Sequence, residues 1–147
     1  MCPEDKEQLI NFYEKLSLET IYTRFFSIIK YFEPYVERLV KSTGCVIVAE
    51  DLDTGEIVGV AEAIPEGDKA EAGIVVLESY QGKGIGKMMA KAMNRALYER
   101  GIKVVVGYIM PGNVKALKLV KSLGGRPVKY YESMVLVEIP IRPPDEG

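Results

Sequence analysis

The stretch Tyr80-Gln81-Gly82-Lys83-Gly84-Ile85-Gly86-Lys87 (YQGKGIGK) sets three glycines at alternate positions just ahead of an apolar-periodic run. In that run Ile85, Met88, Met89, Ala92, Met93, Ala96 and Leu97 recur at i, i+3, i+4 spacing, and Arg100-Gly101 supplies a basic last turn and a glycine C-cap. Upstream, residues 69–77 (KAEAGIVVL) read as a strand, and downstream residues 103–108 (KVVVGY) read as a second, buried one. Strand, glycine turn, helix and strand predict a right-handed parallel crossover over residues 69–108.

The rest of the chain falls around this unit. Residues 4–15 and 18–31 read as helices, the second with Ser17 as N-cap and Ile21, Tyr22, Phe25, Phe26 and Ile29 as core positions. A short helix is expected after Pro34. Residues 44–51 (GCVIVAED), 57–64 (IVGVAEAI) and 69–77 are strands joined by the turns DLDTGE and PEGD, which makes an antiparallel meander. Residues 113–123 form a further amphipathic helix, 126–138 a closing pair of strands, and the tail from Pro140 reads as frayed. The expected fold class is α+β: one domain over residues 1–147, with a mixed, mostly antiparallel sheet flanked by helices.

Composition narrows the chemistry. The 147 residues include two cysteines, Cys2 and Cys45, and no histidine. A disulfide framework and a zinc site are excluded, a carboxylate must replace the usual imidazole base, and a reducing, cytoplasmic setting is expected. The start is not a signal peptide and no apolar run is long enough to span a bilayer, so no membrane partner is expected. Net charge is −2, but residues 50–78 hold nine acids against Lys69 alone, and residues 79–131 hold eleven bases against Glu99 alone.

The glycines admit four readings. A P-loop needs Ser or Thr where Met88 stands and a glycine where Gln81 stands. A dinucleotide fingerprint counted from Gly82 needs a glycine at Lys87 and an acid after the next strand, and has neither. A plain strand-to-helix turn needs one glycine, not three. An anion cradle uses all of them: amides near Gly82, Gly84 and Gly86 converge on a helix N-terminus, with Lys83 and Lys87 adding positive charge. A pyrophosphate suits it.

Val76 followed by Gln81-Gly82-Lys83-Gly84-Ile85-Gly86 resembles the acetyl-CoA motif of the GNAT family of N-acetyltransferases, and the order of elements is similar over nearly the whole chain. LSLETIYTRFF, VGVAEAI and AEAGIVVLESYQGKGIG further resemble Pat-type protein lysine acetyltransferases. The resemblance implies strands splayed apart at Val76, where backbone groups would take the pantetheine arm of acetyl-CoA. With that motif, Val76, Leu77, Gln81, Gly82, Lys83, Gly84, Ile85, Gly86 and Lys87, together with Asn113, are the expected cofactor-binding residues. Asn113 reads equally as a helix N-cap. The chain departs from the family by beginning at a helix in place of a first edge strand, and by Val120 where many members carry a tyrosine.

Transfer to a lysine requires deprotonating an amine, which costs about 4.6 kcal/mol at neutral pH from a pKa near 10.4. Glu71, set among apolar neighbours, reads either as an exposed edge glutamate or as a desolvated general base. The base is the preferred reading, as the resemblance also implies, and Glu62 is the second choice, directly or through a water. Tyr108, Tyr130 and Tyr131 are candidates to protonate the thiolate, although packing accounts for them equally and water can serve. The basic segment suits coenzyme A and the acidic one suits a basic protein acceptor, with no direct nucleic-acid contact expected. Pat-type relatives modify acyl-CoA synthetases or a chromatin protein. A small-amine acetyltransferase and a non-catalytic acyl-CoA sensor are the alternatives.

Overall fold

A computed structural model of the chain describes residues 3–25, 31–41 and 44–143. Its elements are helices α1 (Pro3–Glu14), α2 (Leu18–Phe25) and α3 (Glu33–Lys41), strands β1 (Cys45–Glu50), β2 (Ile57–Glu66) and β3 (Lys69–Val76), helix α4 (Ile85–Glu99), strand β4 (Val104–Ile109), helix α5 (Val114–Ser122), and strands β5 (Arg126–Tyr130) and β6 (Val135–Pro140). The strands form one sheet in the order β1-β2-β3-β4-β6-β5. Among the described strands only β3 and β4 run parallel; the other neighbours are antiparallel. The meander, the crossover and the closing strand pair match the sequence expectation.

Helices cover both sides of the sheet, and strand alternation divides the side chains between them. On one side α1, α2 and α3 pack over Val58, Val60 and Val75 through Leu9, Phe12, Tyr13, Ile21 and Val36. On the other, α4 sets Met89, Met93 and Leu97 against Ala61, Ala63 and Ala70, and α5 sets Val120 against Val135 and Val137. The first seven residues of β2 are all buried, as a strand covered on both faces must be. Ser17 Oγ accepts the Thr20 N–H at 3.1 Å, the N-cap expected of it.

Three details differ from the expectation. Helix α2 is described to Phe25; Phe26 and Ile29 lie outside the described residues, and Tyr31 is not helical. Tyr22 is 49% exposed and is therefore not a core residue. Ile141 and Arg142 are tied, not frayed: the Ile141 N–H donates to the Lys103 carbonyl at 2.9 Å, and Arg142 exchanges hydrogen bonds with the Asn94 amide. Residues 144–147 of the tail lie outside the described residues.

Candidate active site

β3 and β4 pair only at Lys69↔Val104, Ala70↔Val105 and Glu71↔Val106, while β3 stays paired with β2 as far as Gly59↔Val76. The sheet therefore opens as a wedge whose vertex is the Glu71–Val106 pair. Leu77 donates its N–H to the Val58 carbonyl, so strand alternation turns the carbonyl of Ala72 and the amides and carbonyls of Ile74 and Val76 toward the missing β4 partner. Near the vertex the backbones come close: a Cβ on Gly107 would lie 3.4 Å from the Ala72 carbonyl. The Val76 carbonyl accepts the Gln81 side-chain amide at 2.9 Å, which braces the glycine turn against the end of the wedge.

The glycines of that turn do different work. Gly82 and Gly84 have φ of +79° and +83°, and nothing lies within 4 Å of a Cβ placed on either. Their missing side chains leave open space in front of α4. Gly84 is the N-cap, with no side chain capping the helix. The first helical bond runs from Met88 N–H to Gly84 carbonyl at 3.0 Å, so the amides of Ile85, Gly86 and Lys87 have no partner within the helix. Gly86 lies inside α4, where a Cβ would meet Leu119 at 3.8 Å and Ile74 at 4.0 Å, both ordinary contacts. The uncapped N-terminus, the open glycine turn and exposed Lys83 and Lys87 fit a pyrophosphate, and the unpaired edge of β3 fits an amide-bearing arm.

Tyr80 anchors this turn. Its hydroxyl donates to Asp51 at 2.6 Å, a bond that holds the Asp51 carboxyl below its ordinary range, and the Lys83 ammonium lies 5.4 Å from the Tyr80 ring centre. Leu77 is placed differently from Val76. Its side chain is buried under the α1–α3 layer, and its N–H and carbonyl are engaged by Val58 and Tyr80, so it has no polar group directed at the wedge. Asn113 Oδ1 accepts the Ala116 N–H at 3.2 Å and caps α5. Val120 is buried against β6. Of the three tyrosines, Tyr108 stands on β4 beyond the vertex and is 41% exposed, while Tyr130 and Tyr131 are exposed on the outer strand and its turn.

The desolvated carboxylate is Glu62, not Glu71. Glu62 Oε1 accepts from the Arg24 guanidinium and the Tyr35 hydroxyl, and Oε2 accepts from the Tyr13 hydroxyl at 3.1 Å. Burial raises its pKa, with Arg24 and the Tyr13 bond opposing the rise, and the same burial pushes the Tyr13 phenol up. Arg24 reaches Glu62 by lying across Gly73, where any Cβ would collide with the guanidinium. Glu71 lies on the same face, two residues along β3, but beyond the α1–α3 cover; it is exposed. Chain neighbours alternate between faces, so the apolar residues beside Glu71 do not shield it. Sequence reading missed Arg24, Tyr13 and Tyr35; Gly73, an isolated glycine within a strand, was the available signal of a close approach.

The acetyltransferase (GNAT) family model matches residues 7–124, and the chain belongs to this family. Acetyltransferase Pat from Mycolicibacterium smegmatis is 27% identical over 151 residues, covering 99% of this chain and 45% of that protein. The chain thus spans less than half the length of this curated relative. The GNAT domain of PAT from S. lividans superposes with a TM-score of 0.86 at 23% identity, covering 95% of this chain and 87% of that one. Spermidine N-acetyltransferase from Vibrio cholerae, crystallised with CoA and spermine, gives 0.76 at 16% identity, covering 96% and 92%. The matched residues run from α1 through α5 and include the glycine turn and the whole wedge. Among the described residues no acidic, histidine or cysteine group is arranged to hold a metal, and no helix is long and apolar enough to cross a membrane.

Proposed function

We propose that the protein transfers the acetyl group of acetyl-CoA to a lysine side chain of a basic protein in the cytoplasm, with Glu71 as general base. The observation that carries the reading is the position of Glu71: an exposed carboxylate at the vertex where β3 and β4 part, the deepest point an acyl group laid along β3 can reach. The similarity to Pat supports a protein lysine as acceptor. Glu62 already accepts from three donors and serves to hold Arg24 and the floor of the cleft.

In this scheme acetyl-CoA supplies the activated thioester. Glu71 takes a proton from the lysine ammonium, and the neutral amine attacks the carbonyl carbon. Collapse breaks the C–S bond. The second proton of the attacking nitrogen passes through water to the departing thiolate, whose thiol has a pKa of about 8.5, leaving the neutral amide. Glu71 returns its proton to solvent. The N–H of Ile74, the unpaired β3 amide nearest the vertex, would polarise the carbonyl. That of Val76, about 16 Å from the vertex along the strand, would take the pantetheine arm. Asn113 lines the cleft, and its capping bond uses only Oδ1, which leaves its amide nitrogen to contact the cofactor in this scheme.

Release of CoA measured with a basic protein, with free polyamines and with no acceptor tests the assignment. Turnover with the protein alone is expected. Turnover confined to polyamines makes the enzyme a small-amine acetyltransferase, and binding without turnover makes it an acyl-CoA sensor.

A further inference from the structure

The α1–α3 layer ends before the sheet does. Among the described residues, no helix covers the side of β4, β6 and β5 that carries Val104, Val106, Tyr108 and Leu136, and none of these joins the three buried clusters. The pairing register aligns a row across this open face: Ile64, Glu71, Val106, Glu138 and Arg126, each opposite the next on the adjoining strand. Ile64 is 52% exposed, Glu71 is exposed, and Val106 and Glu138 are half-buried. Glu138 has no ion-pair partner among the described residues, although Arg126 stands next in the row.

We infer that this open face is the platform for the acceptor segment, and that Glu138 selects acceptors carrying a second cation at a fixed distance from the reacting lysine. The inference rests on the lysine-transfer reading above. With the lysine nitrogen at Glu71, Glu138 lies two strands away across Val106, roughly 10 Å at about 4.8 Å per strand. An extended chain rises about 3.3 Å per residue, so the partner cation belongs about three residues from the acceptor lysine. Val106 gives the intervening segment an apolar floor, and Ile64 extends it on the other side of Glu71. Arg126 bounds the row and disfavours cations farther out. A neutral small amine would reach Glu71 without using Glu138.

The test is a peptide scan. Otherwise uncharged peptides with one acceptor lysine carry a single arginine at each of the positions one to six on either side. The expected kcat/KM peaks when arginine lies two to four residues away, about fivefold above the arginine-free peptide, the upper end for an exposed ion pair. Glu138→Gln is expected to flatten the scan while leaving the arginine-free peptide and the acetyl-CoA KM unchanged. Glu138→Asp, which keeps the charge, should retain the peak. A flat scan in the wild type, or a peak that survives Glu138→Gln, overturns the inference and leaves lysine transfer standing. Transfer to none of the peptides, with turnover on free amines, overturns the lysine reading and this inference together.

Discussion

Glu62 and Glu71 share one face of neighbouring strands, yet one is sealed under three helices and the other meets solvent. They separate experimentally. Glu71→Gln keeps the shape and removes the basicity, so kcat/KM should fall by about 10²–10³-fold at neutral pH with acetyl-CoA affinity nearly unchanged. Raising the pH should restore part of the loss, because solvent then supplies neutral amine. Near wild-type turnover in Glu71→Gln, with Glu62→Gln inactive, would move the base to Glu62. Glu62 has its own signature, in stability. Burial raises its folded pKa above the unfolded 4.5, so the folded state binds the extra proton between those two values. The wild type therefore loses stability relative to Glu62→Gln as pH rises through that window, and the difference levels off above the folded pKa. Thermal melts of both proteins across acid to neutral pH would show it; a constant difference removes the desolvation argument. Sequence reading put the desolvated carboxylate at Glu71, and the fold puts it at Glu62. Both sit in apolar runs, and which one is buried depends on how far the α1–α3 layer reaches across the sheet.

At the level of elements, the glycine turn joins a strand whose ladder stops to a helix whose first amides are uncapped. Gly82 and Gly84 adopt positive φ, so Gly84→Ala should cost about 1 kcal/mol of stability from backbone strain. It should also weaken CoA binding at least tenfold, or about 1.4 kcal/mol, because its Cβ enters the space left for the ligand. Gly86→Ala places a Cβ at contact distance inside a helix, and should raise stability by about 0.5–1 kcal/mol while keeping CoA affinity within about threefold. Calorimetry with CoA on folded proteins decides; equal losses at both positions would assign all the glycines to the ligand. Most of these elements were legible in the sequence, because periodicity and caps such as Ser17 and Gly101 are local signals. The wedge was not readable from residues 69–77, which run on as strand without a break; it arises because β4 departs after Val106. Its presence came from the family resemblance, and its vertex from the pairing register.

Across the whole molecule the charge split of the sequence becomes an arrangement more specific than one acidic face and one basic face. Four of the nine acids in residues 50–78 are engaged internally: Asp51 by Tyr80, Glu56 by Lys15, Glu62 by Arg24 and Glu78 by Ser17 and Thr20. Glu66, Asp68 and Glu71 lie around the turn and first residues of β3, at the end of the sheet where the wedge closes. The bases Lys87, Lys115 and Lys118 line the opposite, cofactor side of the same cleft. A cationic acceptor and an anionic cosubstrate would thus be drawn to different mouths of one site. Screening lengths shrink from about 30 Å at 0.01 M salt to about 8 Å at 0.15 M, so both attractions should weaken over that range. The two effects can be told apart. In Glu66→Gln/Asp68→Asn, neither residue being placed in the chemistry, the KM for a basic protein should rise and lose part of its salt dependence. The acetyl-CoA KM and its salt dependence should stay as in the wild type. Lys115→Gln/Lys118→Gln should give the reverse pattern. If the protein KM is flat from low to physiological salt in the wild type, these acids are ordinary solvated surface, and selection of the acceptor falls to short-range contacts on the open face of the sheet.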